Sequence, residues 1–190
     1  MPLSTTATRR FLTRRTITCE GYLREDGLLD VEGHLVDVRG YDMDNEWRGH
    51  LKAGDAAHDM WVRLTVDDEL VIKEAESSTD RSPYPICREV TPHTPRLVGL
   101  KIIGGFKKAM HERIGYTEGC THIVALIETL ASVAIQALMG KRQGGSTQEV
   151  LSTFGARNPT RPALIGSCHS YAPDSPITAR LWPMHYRPRK

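Results

Sequence analysis

The 190-residue sequence lacks the short patterns that mark several common enzyme classes. It contains no glycine-rich phosphate-binding loop, no Gly-x-Ser-x-Gly nucleophile elbow and no His-Glu-x-x-His zinc motif. None of its four cysteines forms a Cys-x-x-Cys pair, the spacing typical of zinc and iron–sulfur sites. Nucleotide hydrolysis and serine-hydrolase chemistry are therefore not expected, and a metal site would have to be assembled from distant parts of the chain.

Long apolar runs and a strong charge bias are also missing. No segment approaches the roughly 18 apolar residues that a membrane span needs, and the first residues contain no apolar signal core. The formal net charge is only +2, and the basic excess lies at the two ends. The sequence thus predicts a cytoplasmic protein that binds neither membranes nor nucleic acid and whose cysteines form no disulfides.

The composition is that of a folded globular protein, with 39% hydrophobic and 25% charged residues. A chain of this length fits one ordinary domain. We therefore predict a single domain over 1–190, with a basic tail over 1–13. A surface excursion is predicted over 143–162, where glycine, serine, threonine and proline accumulate.

Hydrophobic and polar residues alternate from Arg14 to Ser77, which predicts an antiparallel β-meander of about four strands with one exposed face. The phase of the alternation slips by one residue at Leu35-Val36. This slip predicts a β-bulge there, after which Val36 and Val38 alternate with Asp37 on the polar side.

Turn residues divide the rest of the meander. The polar segment 40–55 is predicted to be a connecting loop. An acidic pair, Asp67-Asp68, is predicted to form the turn before a last strand carried by Leu70, Val71 and Ile72.

The apolar spacing becomes helical after Leu97. It predicts a short helix or turn over 97–103, a helix from Phe106 to about Arg113, and the strongest helix of the chain over Thr121–Met139. The predicted fold class is therefore α+β, an antiparallel β-meander packed against C-terminal helices, with the last of these helices covering one face of the sheet.

Three junctions between predicted elements place a histidine or cysteine where functional groups tend to lie. His58 enters the third strand, Cys87 lies in a proline-rich crossing segment, and Cys120 and His122 start the long helix after Gly119. His58, Cys87, Cys120 and His122 together would satisfy a zinc or iron(II) ion. The expected cofactor is accordingly none or a single Zn or Fe ion.

Other interpretations of these residues stay open. A cysteine at a helix start is often a small buried side chain, and Cys168-His169 could supply a base or merely pack in the core. Without a metal, His58, His122 or His169 would act as a catalytic base.

Short stretches along nearly the whole chain resemble a bacterial family known as domain of unknown function 2889. They are Gly-Tyr-Leu-Arg-Glu-Asp-Gly (21–27), Val-Glu-Gly-His-Leu-Val-Asp (31–37), Ala-His-Asp-Met (57–60), Pro-Tyr-Pro-Ile-Cys (83–87), Leu-Val-Gly-Leu (97–100), Gly-Cys-Thr-His (119–122) and Cys-His (168–169). Relatives of this family occur among enzymes that break down lignin-derived aromatics. The resemblance therefore implies a lyase that releases formaldehyde from a diaryl propanoid by carbon–carbon cleavage. In such a lyase, Tyr84 would orient the phenolic substrate.

The order of elements over roughly 55–140 also resembles that of iron–sulfur cluster scaffold proteins, with ligands before the hairpin, in the crossing loop and at the long helix. That resemblance implies an alternative function, a metal or iron–sulfur carrier. The lyase is the preferred hypothesis, because a histidine-rich site suits proton transfer near neutral pH. Its expected partner is a small aromatic substrate, and homo-oligomers are possible.

Overall fold

The computed structural model describes residues 7–142, 162 and 164–189. The chain divides into two compact units, residues 1–138 and residues 139–190. Apart from Pro162, the predicted excursion over 143–162 lies outside the described residues, and the predicted tail over 1–13 is described only from residue 7. The prediction of one domain over 1–190 stays a prediction.

A four-stranded antiparallel sheet forms the centre of the first unit, as the alternation predicts. Its strands lie in the spatial order β1-β2-β5-β6. They are β1 (Thr13–Leu23), β2 (Leu29–Arg39), β5 (Ala56–Val66) and β6 (Ile72–Arg81). The α+β prediction is thus confirmed for the sheet and for the helix that packs on it.

The segment predicted as a plain loop contains a small hairpin, which corrects that prediction. β3 (Met43–Asn45) pairs with β4 (Gly49–Leu51). Strands of three residues are too short to show an alternating pattern, so hydrophobic periodicity does not predict them.

The predicted β-bulge exists, but it lies two residues further along. The pairing register of β2 and β5 shifts between Asp37 and Val38, not at Leu35-Val36. The core-facing phase that includes Leu35 therefore continues to Asp37. This small displacement moves Asp37 from the predicted polar side of the strand to the side of the helix.

β6 starts at Ile72, within the predicted Leu70–Ile72 run, and ends at Arg81, four residues beyond the predicted limit of the alternation at Ser77. The turn before β6 is stabilised by the Asp67 carboxylate, which accepts hydrogen bonds from the backbone N–H groups of Glu69 and Val71, each at 2.9 Å. After Ile72 the strand is mostly polar, because its outer face is exposed along its length. The alternation therefore marked the strand as far as Ser77 but not its last four residues.

The helices follow the sheet. Pro85–Leu97 is a 3-10 segment, α1 spans Phe106–Ile114 and α2 spans Thr121–Lys141. The predictions for α1 and α2 are confirmed. The predicted helix or turn over 97–103 is a turn, in which Lys101 forms a β-bridge with Val71.

α2 lies on the sheet across a glycine of β2. A side-chain carbon built on Gly33 would lie 2.7 Å from Leu126 Cδ1 and 3.2 Å from Leu130 Cδ2, both from residues that are fully buried. The helix therefore approaches the backbone of β2 more closely than any larger residue would allow.

By length and composition, α2 is apolar enough to cross a membrane, which corrects the expectation that no segment approaches the length of a membrane span. However, the helix buries a broad apolar face that includes Ile123, Leu126, Ile127, Leu130 and Ala134. The core helix of a soluble protein has the same character. The cytoplasmic location stays a prediction.

Replacing Gly33 with alanine should destabilise the protein by about 1–3 kcal/mol, because the new methyl group overlaps buried leucines that cannot move freely. Urea unfolding measures the change. Gly104→Ala is the matched control, since nothing lies within 4 Å of its added carbon. Equal unfolding midpoints for the two variants would contradict the described packing.

The second unit has its own small apolar cluster. Ile165 and Trp182 are buried in it, with Met139, Leu164, Tyr171 and Leu181 packed around them. α3 (Pro176–Leu181) begins after Ser175, whose side-chain oxygen accepts the Thr178 N–H at 3.0 Å. Ile165 is thus buried in this unit, whereas the nearby Cys168 is exposed and does not pack in a core.

Candidate functional site

Two paired strands and the start of a helix bring three titratable side chains together. Asp37 of β2 lies directly opposite His58 of β5 in the sheet register. They occupy the ends of the strand faces that carry buried Leu35 and Met60. His122 lies in the first turn of α2, which packs on this same face.

The three side chains form a compact, half-buried cluster. His58 Nδ1 is 3.0 Å and His122 Nε2 is 3.5 Å from Asp37 Oδ2. The two imidazole rings stack with their centroids 3.8 Å apart and their planes at 28°. The side chains of Asp37, His58 and His122 are only 13–21% exposed, so the cluster has limited access to water.

Arg15 of β1 neutralises the carboxylate of this cluster. Its Nε and Nη2 donate to the two oxygens of Asp37 at 2.7 and 2.8 Å. Burial alone would raise the pKa of the Asp37 carboxyl, but the bonds and charge of Arg15, together with the two histidines, leave this pKa lowered. Asp37 is therefore ionised near neutral pH.

Both histidines are held neutral. Burial lowers the pKa of His58 and outweighs the opposite effect of Asp37. Burial also lowers the pKa of His122, and the neighbouring His58 and Arg15 add to this effect. Since the ordinary pKa of histidine is about 6.5, both rings are unprotonated at pH 7.

The ionised Asp37 fixes the tautomer of His58. A carboxylate only accepts hydrogen bonds, so the proton of the neutral ring lies on Nδ1, which faces Asp37. The lone pair of Nε2 is left available. An imidazole oriented in this way is a general base, because a carboxylate partner favours the protonated ring that forms when the base accepts a proton.

Cys120 lies beside the cluster, immediately before α2. Its Sγ is 3.6 Å from His122 Nδ1 and 4.0 Å from Met60 Sδ. The preceding Gly119 has extended backbone, so it is not needed for conformational freedom. Glycine is required here because the backbone of residue 119 lies close to that of Ile114, whose carbonyl oxygen an added side-chain carbon would overlap.

The other residues of the predicted site have different surroundings. Cys87 is half-buried in the 3-10 segment, and it does not belong to the Asp37–His58–His122 cluster, the group of potential metal ligands found among the described residues. His169 is part of the turn His169–Tyr171 in the second unit. The proposed metal roles of Cys87 and Cys120, and the catalytic role of His169, stay predictions.

Tyr84 lines an aromatic cleft of about 410 Å³ near the start of β5. Its ring meets the ring of Trp47 edge to face, with the centroids 4.9 Å apart. Arg48, also in the lining, donates to the carbonyl oxygens of Ala56 and Ala57, the two residues before His58. Arg48 therefore links the lining of the cleft to the start of the strand that carries His58.

The stability of the protein should decrease as the pH falls below about 6.5. The unfolded chain protonates its histidines there, whereas His58 and His122 resist protonation because their folded pKa values are lowered. The contribution of the two histidines to the free energy of unfolding is therefore complete above the pKa of histidine in the unfolded chain. It is lost as the pH falls through the lower pKa values of the folded protein, by at most about 1.4 kcal/mol per pH unit for each histidine.

Urea unfolding between pH 7.5 and about 5 measures this slope, with a chelator present to exclude metal effects. This range lies above the ordinary Asp pKa of about 3.9, so Asp37 contributes little to it. A variant with both His58→Asn and His122→Asn should show a flatter dependence. An equally steep dependence in the double variant would contradict the assigned pKa directions.

Comparison with known proteins identifies the family. No curated protein and no solved structure gives a significant match to the chain. A family model described as protein of unknown function (DUF2889) matches residues 13–136, which include the whole sheet, the cluster and most of α2. The protein therefore belongs to the DUF2889 family.

Proposed function

We propose that the protein is a lyase that cleaves a carbon–carbon bond in a small phenolic substrate and releases formaldehyde, with His58 as the general base. The observation that carries this proposal is the contact of His58 Nδ1 with Asp37 at 3.0 Å, which leaves Nε2, in a half-buried site, without a hydrogen bond to any of the described residues. The resemblance to families of lignin-derived aromatic breakdown suggests the substrate class.

The chemistry needs one base and an electron sink. In a diaryl propane-1,3-diol with a free para-phenol, loss of the benzylic hydroxyl as water gives a quinone methide. His58 then takes the proton of the terminal hydroxyl, and the carbon–carbon bond beside it breaks. Its electron pair flows into the quinone methide and gives the phenolate, which takes back the proton from His58. The products are a stilbene, water and formaldehyde, with no change in overall oxidation state and no organic cofactor.

His122 and Arg15 support this step in different ways. The stacked His122 shields one side of His58 from water and, because it is neutral, does not repel the imidazolium that forms. Arg15 compensates the charge of Asp37 and holds both of its oxygens. Asp37 thus keeps His58 in one tautomer and orientation, as the base requires.

The aromatic cleft suits one ring of such a substrate. Tyr84 and Trp47 supply aromatic surfaces for stacking, and Arg48, Arg81 and Arg88 supply positive charge for a phenolate. We propose that Tyr84 orients the substrate from this cleft, which is the role that the sequence analysis predicted for it.

A metal-assisted version is the second candidate, because Asp37, His58 and His122 present one oxygen and two nitrogens within 4.8 Å of one another. Ligands at about 2.0–2.2 Å from a tetrahedral zinc lie about 3.3–3.6 Å apart, close to the separations of 3.0 and 3.5 Å. A bound ion would polarise the leaving alkoxide. Against this version, Arg15 already donates to the same oxygen, Oδ2, at 2.8 Å.

Metal titration separates the two versions. Protein stripped with a chelator and titrated with zinc should bind no stoichiometric ion if His58 is a free base. One ion per chain that is lost in His122→Ala but kept in Cys87→Ser and Cys120→Ser would establish the Asp–His–His site instead. Loss of binding in the cysteine variants would support the four-ligand set predicted from sequence.

The carrier alternative has less support. Iron–sulfur clusters are held mainly by cysteine thiolates, whereas the cluster here offers oxygen and nitrogen donors. The resemblance to iron–sulfur scaffold proteins has no counterpart among the comparisons, which identify only the DUF2889 family. The lyase is therefore the function that we propose.

The proposal is tested by incubating the purified, metal-free protein with a phenolic diaryl propane-1,3-diol and measuring formaldehyde and stilbene. Equal amounts of the two products, released with turnover, are expected. Absence of both products over a panel of such diols would reject the lyase function.

A further inference from the structure

β1 is a long, regular edge strand whose outer side has no strand partner among the described residues. It pairs with β2 over all eleven residues without a register shift, and it contains no proline. The opposite edge of the sheet differs, because the 3-10 segment Pro85–Leu97 packs along β6. Natural proteins usually interrupt or cover an edge strand of this length, because its free backbone groups form a template for pairing.

The direction of the free backbone groups follows from one hydrogen bond. Gly40 N–H donates to Leu12 O at 3.0 Å, so residue 12 faces β2 with its backbone groups. In an antiparallel pair this orientation alternates. The even-numbered residues of β1 therefore bond to β2, and the N–H and C=O groups of the odd-numbered residues point outward.

We propose that β1 pairs with β1 of a second copy of this chain, antiparallel and centred on Thr18. This register joins the whole strand and makes hydrogen-bonded pairs of Arg15 with Gly21 and of Ile17 with Cys19. The odd-numbered residues meet one another throughout, as the free backbone groups require. The two sheets become one continuous eight-stranded sheet.

The side chains of β1 complement themselves in this register. Arg14 lies opposite Tyr22 of the second copy and diagonal to its Glu20, so opposite charges approach and no like charges face each other. The half-buried Ile17 and Cys19 cover each other across the junction.

Apolar side chains at the strand ends become neighbours as well. Phe11, Leu12, Tyr22 and Leu23 are between 46% and 58% exposed in the single chain. In the proposed register Leu12, just before β1, lies diagonal to Tyr22 of the second copy, and Phe11 lies diagonal to its Leu23. The pairing also leaves the candidate site intact, because Arg15 faces Gly21, which has no side chain to displace it from Asp37.

Cross-linking tests the pairing and its register. Thr18 faces itself across the two-fold axis in a non-hydrogen-bonded pair, with Cα atoms about 4.5 Å apart, within the range of a disulfide. In a Cys168→Ser background, which removes the exposed thiol, Thr18→Cys should form a covalent dimer under mild oxidation. Thr16→Cys is the matched control, since its two copies lie about 13 Å apart in this register.

Charge exchange supplies an independent test by sedimentation. The wild-type protein should have twice the mass of the 21.3 kDa chain. Thr18→Asp and Thr18→Lys should each be monomeric, because like charges face each other, and an equimolar mixture should dimerise again. A monomeric wild type, unchanged mass in both variants, or equal cross-linking of the two cysteine variants would overturn the proposal.

Discussion

Replacing His58 with asparagine should lower kcat for formaldehyde release by about 10²–10⁴-fold while leaving the fold intact. The asparagine amide can still donate to Asp37 in place of Nδ1, but it offers no base in place of Nε2. Steady-state kinetics measure the loss. Circular dichroism and the unfolding midpoint should change little, because the side chain remains small, polar and paired.

His34→Asn is the matched control for this variant. His34 lies on the opposite face of the sheet, where its Nε2 is 2.6 Å from Asp59 and its ring stacks on Trp61 at 3.8 Å. It thus has a carboxylate partner and an aromatic neighbour without belonging to the candidate site. If His34→Asn loses as much activity as His58→Asn, or if His58→Asn keeps it, His58 is not the base.

Replacing Asp37 with asparagine should have the second largest effect, a decrease in kcat of about 10²–10⁴-fold. An amide can donate to Nδ1 of His58 and so favour the wrong tautomer, which turns Nε2 into a donor. The change also removes the charge that Arg15 neutralises. We therefore expect a loss of stability of about 1–3 kcal/mol as well, from the unpaired guanidinium.

A second substitution separates these two effects of Asp37. Arg15→Met combined with Asp37→Asn removes the unpaired charge, so stability should partly recover while kcat stays low. Asp59→Asn, on the opposite face, serves as the control for a histidine-bound carboxylate. Recovery of kcat together with stability would show that Asp37 acts only through the fold.

The parts of the fold that bury a regular apolar pattern could be predicted from sequence. The alternation of β2 and β5 and the helical spacing of α2 reflect faces that pack on one core. The end of β6 beyond Ser77 and the β3–β4 hairpin could not be predicted, because few of their side chains are buried. Hydrophobic periodicity carries no information about strands that bury little.

The candidate site was predictable in part for a related reason. His58, Cys120 and His122 lie at ends of elements, and their types suggested chemistry. Asp37 was not predicted to belong to the site, because the bulge was expected two residues early. The predicted alternation therefore turned the Asp37 side chain away from the helix. Arg15 looked like part of a basic end, since only the β1–β2 register reveals that it lies opposite Asp37.

The most direct test of the proposed reaction compares two substrates that differ in one group. A diaryl propane-1,3-diol with a free para-phenol should release formaldehyde and stilbene in equal amounts, whereas its para-methoxy ether should release neither. The ether cannot form the neutral quinone methide that accepts the electron pair of the broken bond. Formaldehyde release from both compounds at similar rates would contradict the account.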